Sequence, residues 1–225
     1  MELKSIVPWG RSLAEYVAMF NLTEANLQQK ILGCGDGPAS FNTELTKLGG
    51  DVISIDPIYA FSAQEISEQI QAVYPEIKAR VSQNLTSFVW SQFDSVEDLC
   101  EIRMQTMSLF LEDYGGRNSG DRHQNQALPK LSFSDKSFDL ALCSHLLFLY
   151  SQQLDAAMHI ASILELCRVA KEVRIYPLVT LSGELSSYLD FVRAELLTAG
   201  IKTELKDVDY EFQRGATQML VAKWQ

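Results

Sequence analysis

Gly33, Gly35 and Gly37 stand at alternate positions directly behind the apolar pair Ile31-Leu32. A chain with that pattern turns sharply from a strand into a helix. Glycine accepts backbone conformations that other residues resist, and bare backbone at the turn lets a ligand come close. Asp56 closes a second apolar run, Val52-Ile53-Ser54-Ile55. An acidic side chain at the tip of the next parallel strand can accept both hydroxyls of a ribose. The pair implies an α/β chain with a nucleoside-containing ligand at the carboxyl ends of its strands.

Two cofactor classes compete for the turn. In the dinucleotide pattern G-x-G-x-x-G the third glycine serves close helix–strand packing, and here that position is Pro38. The spacing of Gly33, Gly35 and Gly37 instead resembles the first motif of S-adenosylmethionine-dependent methyltransferases of the Rossmann-like class. The glycines alone leave a plain strand–turn–helix open as well.

At 225 residues the chain is long enough for one domain with a full core. Its apolar fraction of 47% and charged fraction of 21% are those of a globular protein. No apolar run is long enough to cross a bilayer, and the segment from Met1 to Pro8 lacks the basic and apolar regions of a secretory signal. Cys34, Cys100, Cys143 and Cys167 are scattered, with no C-x-x-C pair, so they read as reduced, mostly buried thiols in a cytoplasmic protein without a metal site. The formal charge of −10, with no dense Lys/Arg run, argues against a long nucleic acid as partner.

Leu13, Val17 and Phe20, joined by Tyr16, share one face of a helix expected over 10–22, and a second short helix follows over 24–28. Strands are expected over 30–33 and 51–55, with a helix over 40–48 that stops at Gly49-Gly50. Residues 62–112 read as helix interrupted by Pro75, and 114–121 as a loop. That stretch is a helical insertion, 62–121, between the second and third strands of a single domain spanning 1–225, with N-terminal helices in 1–29. Beyond it come a short third strand over 122–126 and a fourth over 137–145 that is apolar enough to be buried on both faces. A helix over 154–170, a strand over 172–176 and a helix over 185–198 follow. Two extended stretches, 201–211 and 218–223, are joined by a turn at 213–216. The sum is a mostly parallel sheet with an antiparallel edge.

The segment Leu131-Ser132-Phe133-Ser134-Asp135-Lys136-Ser137-Phe138-Asp139 closely resembles one common in small methyltransferases, roughly L-P-F-x-D-x-S-F-D before an apolar strand. Glu165-Leu166-Cys167-Arg168-Val169-Ala170-Lys171 resembles the E-x-x-R-V-x-K end of the family's next helix. With the glycine turn and the C-terminal hairpin, the resemblance covers about 30–60 and 122–225 but not the insertion. It implies a Rossmann-like seven-stranded sheet with an antiparallel last strand and helices on both faces, and S-adenosyl-L-methionine as cofactor. Carried over, Gly33, Gly35 and Gly37, with Cys34 between them, would line the methionine and ribose side. Asp56 would hold the ribose hydroxyls. Ile58 would pack on the adenine or in the core. Cys143, Ser144 and His145 end the fourth strand, facing cofactor and acceptor. Three departures stand out. Where the family often has an Asp for the adenine amino group, Asn125-Gln126-Ala127 stands here, and the Gln126 carbonyl is the candidate acceptor. Lys171-Glu172 replace glycines usual after the fifth helix. The insertion is much longer than the usual link.

Methyl transfer is an in-line displacement whose leaving thioether needs no proton, so alignment and exclusion of water carry much of the rate. A base is needed only for a poor nucleophile. His145 is the candidate base, with a packed or capping histidine as the alternative. Tyr150 and Tyr176 are candidate acceptor contacts or core, and Trp9, Arg11 and Tyr16 form part of a lid or of a packed helix. The insertion's Tyr74, Trp90, Phe93, Arg80 and Arg103 fit a cap that forms an apolar acceptor pocket with a charged rim. They fit equally a stripe buried in a homodimer. The expected function is methyl transfer to a small-molecule acceptor. The alternative is a catalytically inactive adenosyl-cofactor-binding or partner protein. A nicotinamide oxidoreductase is opposed by Pro38 and by the C-terminal hairpin.

Overall fold

The computed structural model describes residues 8–116 and 120–225. The expectation about a secretory signal in 1–7, and the part of the expected loop at Arg117, Asn118 and Ser119, fall outside the described residues. Seven strands make one sheet: β1 (Lys30–Cys34), β2 (Asp51–Ile55), β3 (His123–Gln124), β4 (Phe138–Ser144), β5 (Ala170–Tyr176), β6 (Ile201–Asp207) and β7 (Gln218–Trp224). Their order is β3-β2-β1-β4-β5-β7-β6. The first five pair in parallel, and β7 runs antiparallel to both β5 and β6.

Among the described residues seven α-helices surround it: α1 (Leu13–Phe20), α2 (Glu24–Leu27), α3 (Phe41–Lys47), α4 (Ala63–Gln83), α5 (Val96–Tyr114), α6 (Ala156–Val169) and α7 (Leu189–Thr198). Period-two alternation in the central strands divides the core. Ile31, Leu140 and Leu142 pack with Tyr16, Phe20, Phe41 and Leu45 of α1 and α3. Leu32, Ala141 and Cys143 pack on the other face with Ile163 and Leu166 of α6 and Val192 and Leu196 of α7. Both faces are covered, as the apolar run of β4 requires.

The insertion departs from expectation at Pro75, which lies inside α4 without ending it. Proline forfeits one backbone hydrogen bond. Ile66 and Ile70 before it and Ile77 and Val81 after it are all buried, so burial holds the helix on both sides of the defect. Ile77, Val81 and Leu99 join the core beside α1 and α3. Asp113 of α5 accepts both Nη2 bonds of Arg122 at 2.9 Å and one from Thr43 Oγ1 at 3.0 Å, which ties the end of the insertion to α3 and to the entry of β3. Among the described residues no helix is long and apolar enough to cross a membrane.

Three boundaries also moved. β3 is only two residues long, because the chain pairs with β2 at His123 and Gln124 and then leaves the sheet. β5 begins at Ala170, directly where α6 ends, so the expected helix gives up its last residue to the sheet. The link from β6 to β7 is longer than the expected turn. It carries Tyr210 and Phe212 into the core, and Phe88 of the insertion bridges to Gln213.

Candidate functional site

A cavity of about 580 Å³ opens where the carboxyl ends of β1, β2, β3 and β4 meet, lined in part by residues 34–38, 55–58, 126–128 and 144–147. This is where open α/β sheets place their ligands. Gly35 and Gly37 adopt φ of 70° and 53°, in the left-handed region that favours glycine. Gly33 serves differently. A Cβ there would stand 1.8 Å from Asp36 Oδ2, so only glycine leaves room for that carboxylate to fold back under the turn.

Asp36 is the residue of the turn whose role sequence reasoning missed. It is almost wholly buried and accepts bonds from Tyr16 Oη at 2.7 Å and from Ser54 Oγ at 2.5 Å. Burial pushes its carboxyl up to about 7, against the pull of those two bonds, and the nearby Asp56 adds to the rise. The sign of the linkage follows. A raised folded value means stability that is complete below about 3.8 and is lost as pH rises through about 7. The full shift corresponds to about 4 kcal/mol. Wild type should therefore lose stability between pH 4 and 7 relative to Asp36→Asn, by urea unfolding at each pH. Parallel stability curves would show that Asp36 is ionised throughout.

Asp56 caps the short 3₁₀ turn that follows β2. Its Oδ1 accepts from Ile58 N at 2.9 Å and its Oδ2 from Gly37 N at 3.0 Å, so one side chain holds the glycine turn to the tip of β2. Each oxygen has accepted one bond, which leaves capacity for two hydroxyl donors. Burial raises its carboxyl, opposed by these two bonds. Ile58 and Gln126 also line the cavity. Gln126 Oε1 already accepts from Ser132 N at 2.8 Å, with one lone pair remaining.

At the tip of β4 the expected residues separate. Cys34 lines the cavity, whereas Cys143, its register partner on β4, is fully buried and is not a lining residue. A hydrogen bond from the Cys34 thiol to Cys143, then burial, holds that thiol well above its ordinary value. Ser144 and His145 do line the cavity. His145 takes a left-handed φ of 52°, its Nδ1 lies 2.9 Å from Ser144 Oγ, and its ring meets the edge of Tyr176. Burial, with the charges of Arg11 and Arg103, holds the imidazole well below its usual range. His123 is pushed down to about 4 by burial, and burial also lowers His159. A proton NMR titration should therefore show none of the three histidines changing charge near 6.5. Because the unfolded chain takes up these protons first, the histidines weaken the fold as pH falls through about 6.5. A ring titrating at that value would contradict the burial.

The rest of the lining, an apolar lobe of the same cavity, includes Ile77, Val81 and Phe88 of the insertion, Phe212, Trp9 and Arg11. Arg80 lines it as well, while Arg103 does not stand on a charged rim. Arg103 is wholly buried on α5 and grips Glu15 of α1 with both Nη atoms. Phe93 is core, and Trp90 donates its indole N–H to Leu85 O at 3.0 Å. Tyr150 lines the cavity, whereas Tyr176 is buried, donating to Tyr210 O and Ala216 O.

No protein-family model matches the chain. The uncharacterized protein MJ0045 of Methanocaldococcus jannaschii is 34% identical over 227 residues, which covers 99% of this chain and 98% of that protein. The chain belongs to the MJ0045 family. Among solved structures, the mitomycin 7-O-methyltransferase MmcR superposes with a TM-score of 0.50 at 12% identity, over 95% of this chain and 54% of that one. The magnesium protoporphyrin IX methyltransferase ChlM of Synechocystis PCC 6803, crystallised with S-adenosylhomocysteine, gives a TM-score of 0.46 at 14% identity, over 95% of this chain and 80% of that one. The MJ0045-family chain thus has the Rossmann-like fold of S-adenosylmethionine-dependent methyltransferases, with their 3-2-1-4-5-7-6 strand order.

Proposed function

We propose that this protein is an S-adenosylmethionine-dependent methyltransferase acting on a small molecule. The observation that carries the reading is the cavity itself. The glycine turn and the Asp56 carboxylate line the same cavity as the apolar side chains of Ile77, Val81 and Phe88 of the insertion and of Phe212. The residues fit the cofactor. Asp56 retains acceptor capacity for ribose hydroxyls, and Gly37 offers bare backbone whose missing Cβ would lie 3.9 Å from Asp56 Oδ2. The Asp56 carboxylate gives its wall of the cavity the sign that favours a cationic ligand. Bound there, S-adenosylmethionine supplies an electrophilic methyl on a sulfonium.

The chain's own contribution is to orient and to exclude water. Ile77 and Val81 of α4 line the cavity, and Tyr59 Oη donates to Gly37 O at 2.7 Å to steady the turn. His145 stands at the tip of β4 in the neutral form, ready to receive a proton, but its lowered basicity suits an acceptor that is already a good nucleophile. Calorimetric titration with S-adenosylmethionine, S-adenosylhomocysteine and NADH tests the reading. Binding of both adenosyl ligands and not NADH supports it. Folded protein that binds neither adenosyl ligand overturns it, and NADH binding alone points to an oxidoreductase.

A further inference from the structure

We propose that the part of the cavity lined by Ile77, Val81, Phe88 and Phe212 receives a methyl acceptor that carries a carboxylate on an apolar body, with Arg11 as the group that binds the carboxylate. The assignment rests on the methyltransferase reading above. Arg11 is placed by its neighbour. A Cβ on Gly10 would stand 2.1 Å from Pro38 O, so the segment before α1 lies flat against the glycine turn and delivers Arg11 into the cavity lining. There its Nη1 donates to Trp9 O at 3.0 Å, and its Nε is buried with no hydrogen-bond partner.

Among the described residues no carboxylate forms an ion pair with Arg11. Glu15 is near enough for Arg11 to feel its charge, but it is already bound by Arg103, by Tyr210 Oη at 2.7 Å and by Ser12 N at 3.0 Å. Two guanidiniums therefore face one carboxylate, and the cluster of half-buried Arg11 with buried Arg103 and Glu15 carries one positive charge in excess. Neutral His145 and the un-ionised Tyr16 and Tyr210 leave that excess standing. A buried cation without a counterion is costly, and an anionic ligand group removes the cost.

Arg11 lines the cavity together with Ser144 and His145 at the tip of β4. Its charge acts on His145 at the tip of β4 and on Tyr176 at the end of β5. Ile77, Val81, Phe88 and Phe212 supply apolar walls for the body of the acid.

The test titrates protein saturated with S-adenosylhomocysteine against aromatic acids, each paired with its primary amide: benzoate, 4-hydroxybenzoate and 3-phenylpropanoate. Wild type, Arg11→Met and Arg11→Lys are compared, with thermal melting to confirm that each folds. At least one acid should bind wild type about tenfold tighter than its amide. The preference should vanish in Arg11→Met and largely return in Arg11→Lys, while S-adenosylhomocysteine binds all three alike. No acid preferred in wild type, or a preference that survives Arg11→Met, overturns the proposal. So does weakened S-adenosylhomocysteine binding by Arg11→Met with 5′-methylthioadenosine unaffected, which assigns Arg11 to the cofactor's own carboxylate. Wild type that fails to bind S-adenosylhomocysteine overturns the methyltransferase reading instead, and an acid preference seen without it remains a property of the lobe.

Discussion

Glu15→Gln is expected to destabilise the protein by about 3–5 kcal/mol, since it leaves the wholly buried Arg103 without its counterion. For a chain of this length that is a fall in Tm on the order of 10 °C. The pair matters because of where it lies. Glu15 is the third residue of α1 and closes a capping box with Ser12, while Arg103 lies in the middle of α5. One ion pair therefore joins the N-terminal helix to the insertion, and the Tyr210 hydroxyl brings in the link between β6 and β7. The double substitution Glu15→Leu with Arg103→Met should recover part of the loss, because two apolar side chains leave no buried charge. Urea unfolding checks both. A cost below about 1 kcal/mol for Glu15→Gln would mean that water reaches the pair. The same pair sets an acid limit. Arg103 holds the Glu15 carboxyl down to about 2 despite its burial. Its stabilising contribution, about 3 kcal/mol, is complete above about 4.5 and is lost as pH falls through about 2.

Asp56→Ala is expected to weaken S-adenosylhomocysteine binding on the order of a hundredfold, as two hydrogen bonds from ribose to a charged acceptor disappear. Part of the loss is indirect. The Asp56 carboxylate also holds Gly37 N and Ile58 N, so alanine frees the glycine turn as well. Asp56→Asn keeps one acceptor oxygen and should lose less. Titration calorimetry of the three proteins separates the contributions. Unchanged affinity in Asp56→Ala would remove the ribose assignment while leaving the cavity in place.

The readable parts of this protein were those with a short-range cause. The glycine turn, the apolar run of β4 and the alternation that faces its side chains to two helix layers follow from backbone conformation and the period of two along a strand. Asp56 was legible from its distance to the turn and its position at the end of an apolar run. Two boundaries were illegible for opposite reasons. α4 runs through Pro75 because burial on either side outweighs a local defect. β3 stops after two residues because pairing with β2 ends there, and a partner strand is not visible in local pattern.

The apolar lobe of the cavity belongs to the tertiary structure alone. Arg80 and Arg103 are both arginines of one helical insertion, yet one lines the cavity and the other is buried against Glu15, 88 positions earlier in the chain. Cys34 and Cys143 sit side by side in register, and only the first reaches the lining. Asp36 takes its role only from Tyr16 and Ser54, which close around it. What the sequence by itself determined was the sheet, the turn and the placing of Asp56 beside it, because periodicity and glycine act over a few residues. Which charges lie buried, which face the cavity and which remain unpaired was decided only in three dimensions, because desolvation and ion pairing depend on neighbours brought together from distant parts of the chain.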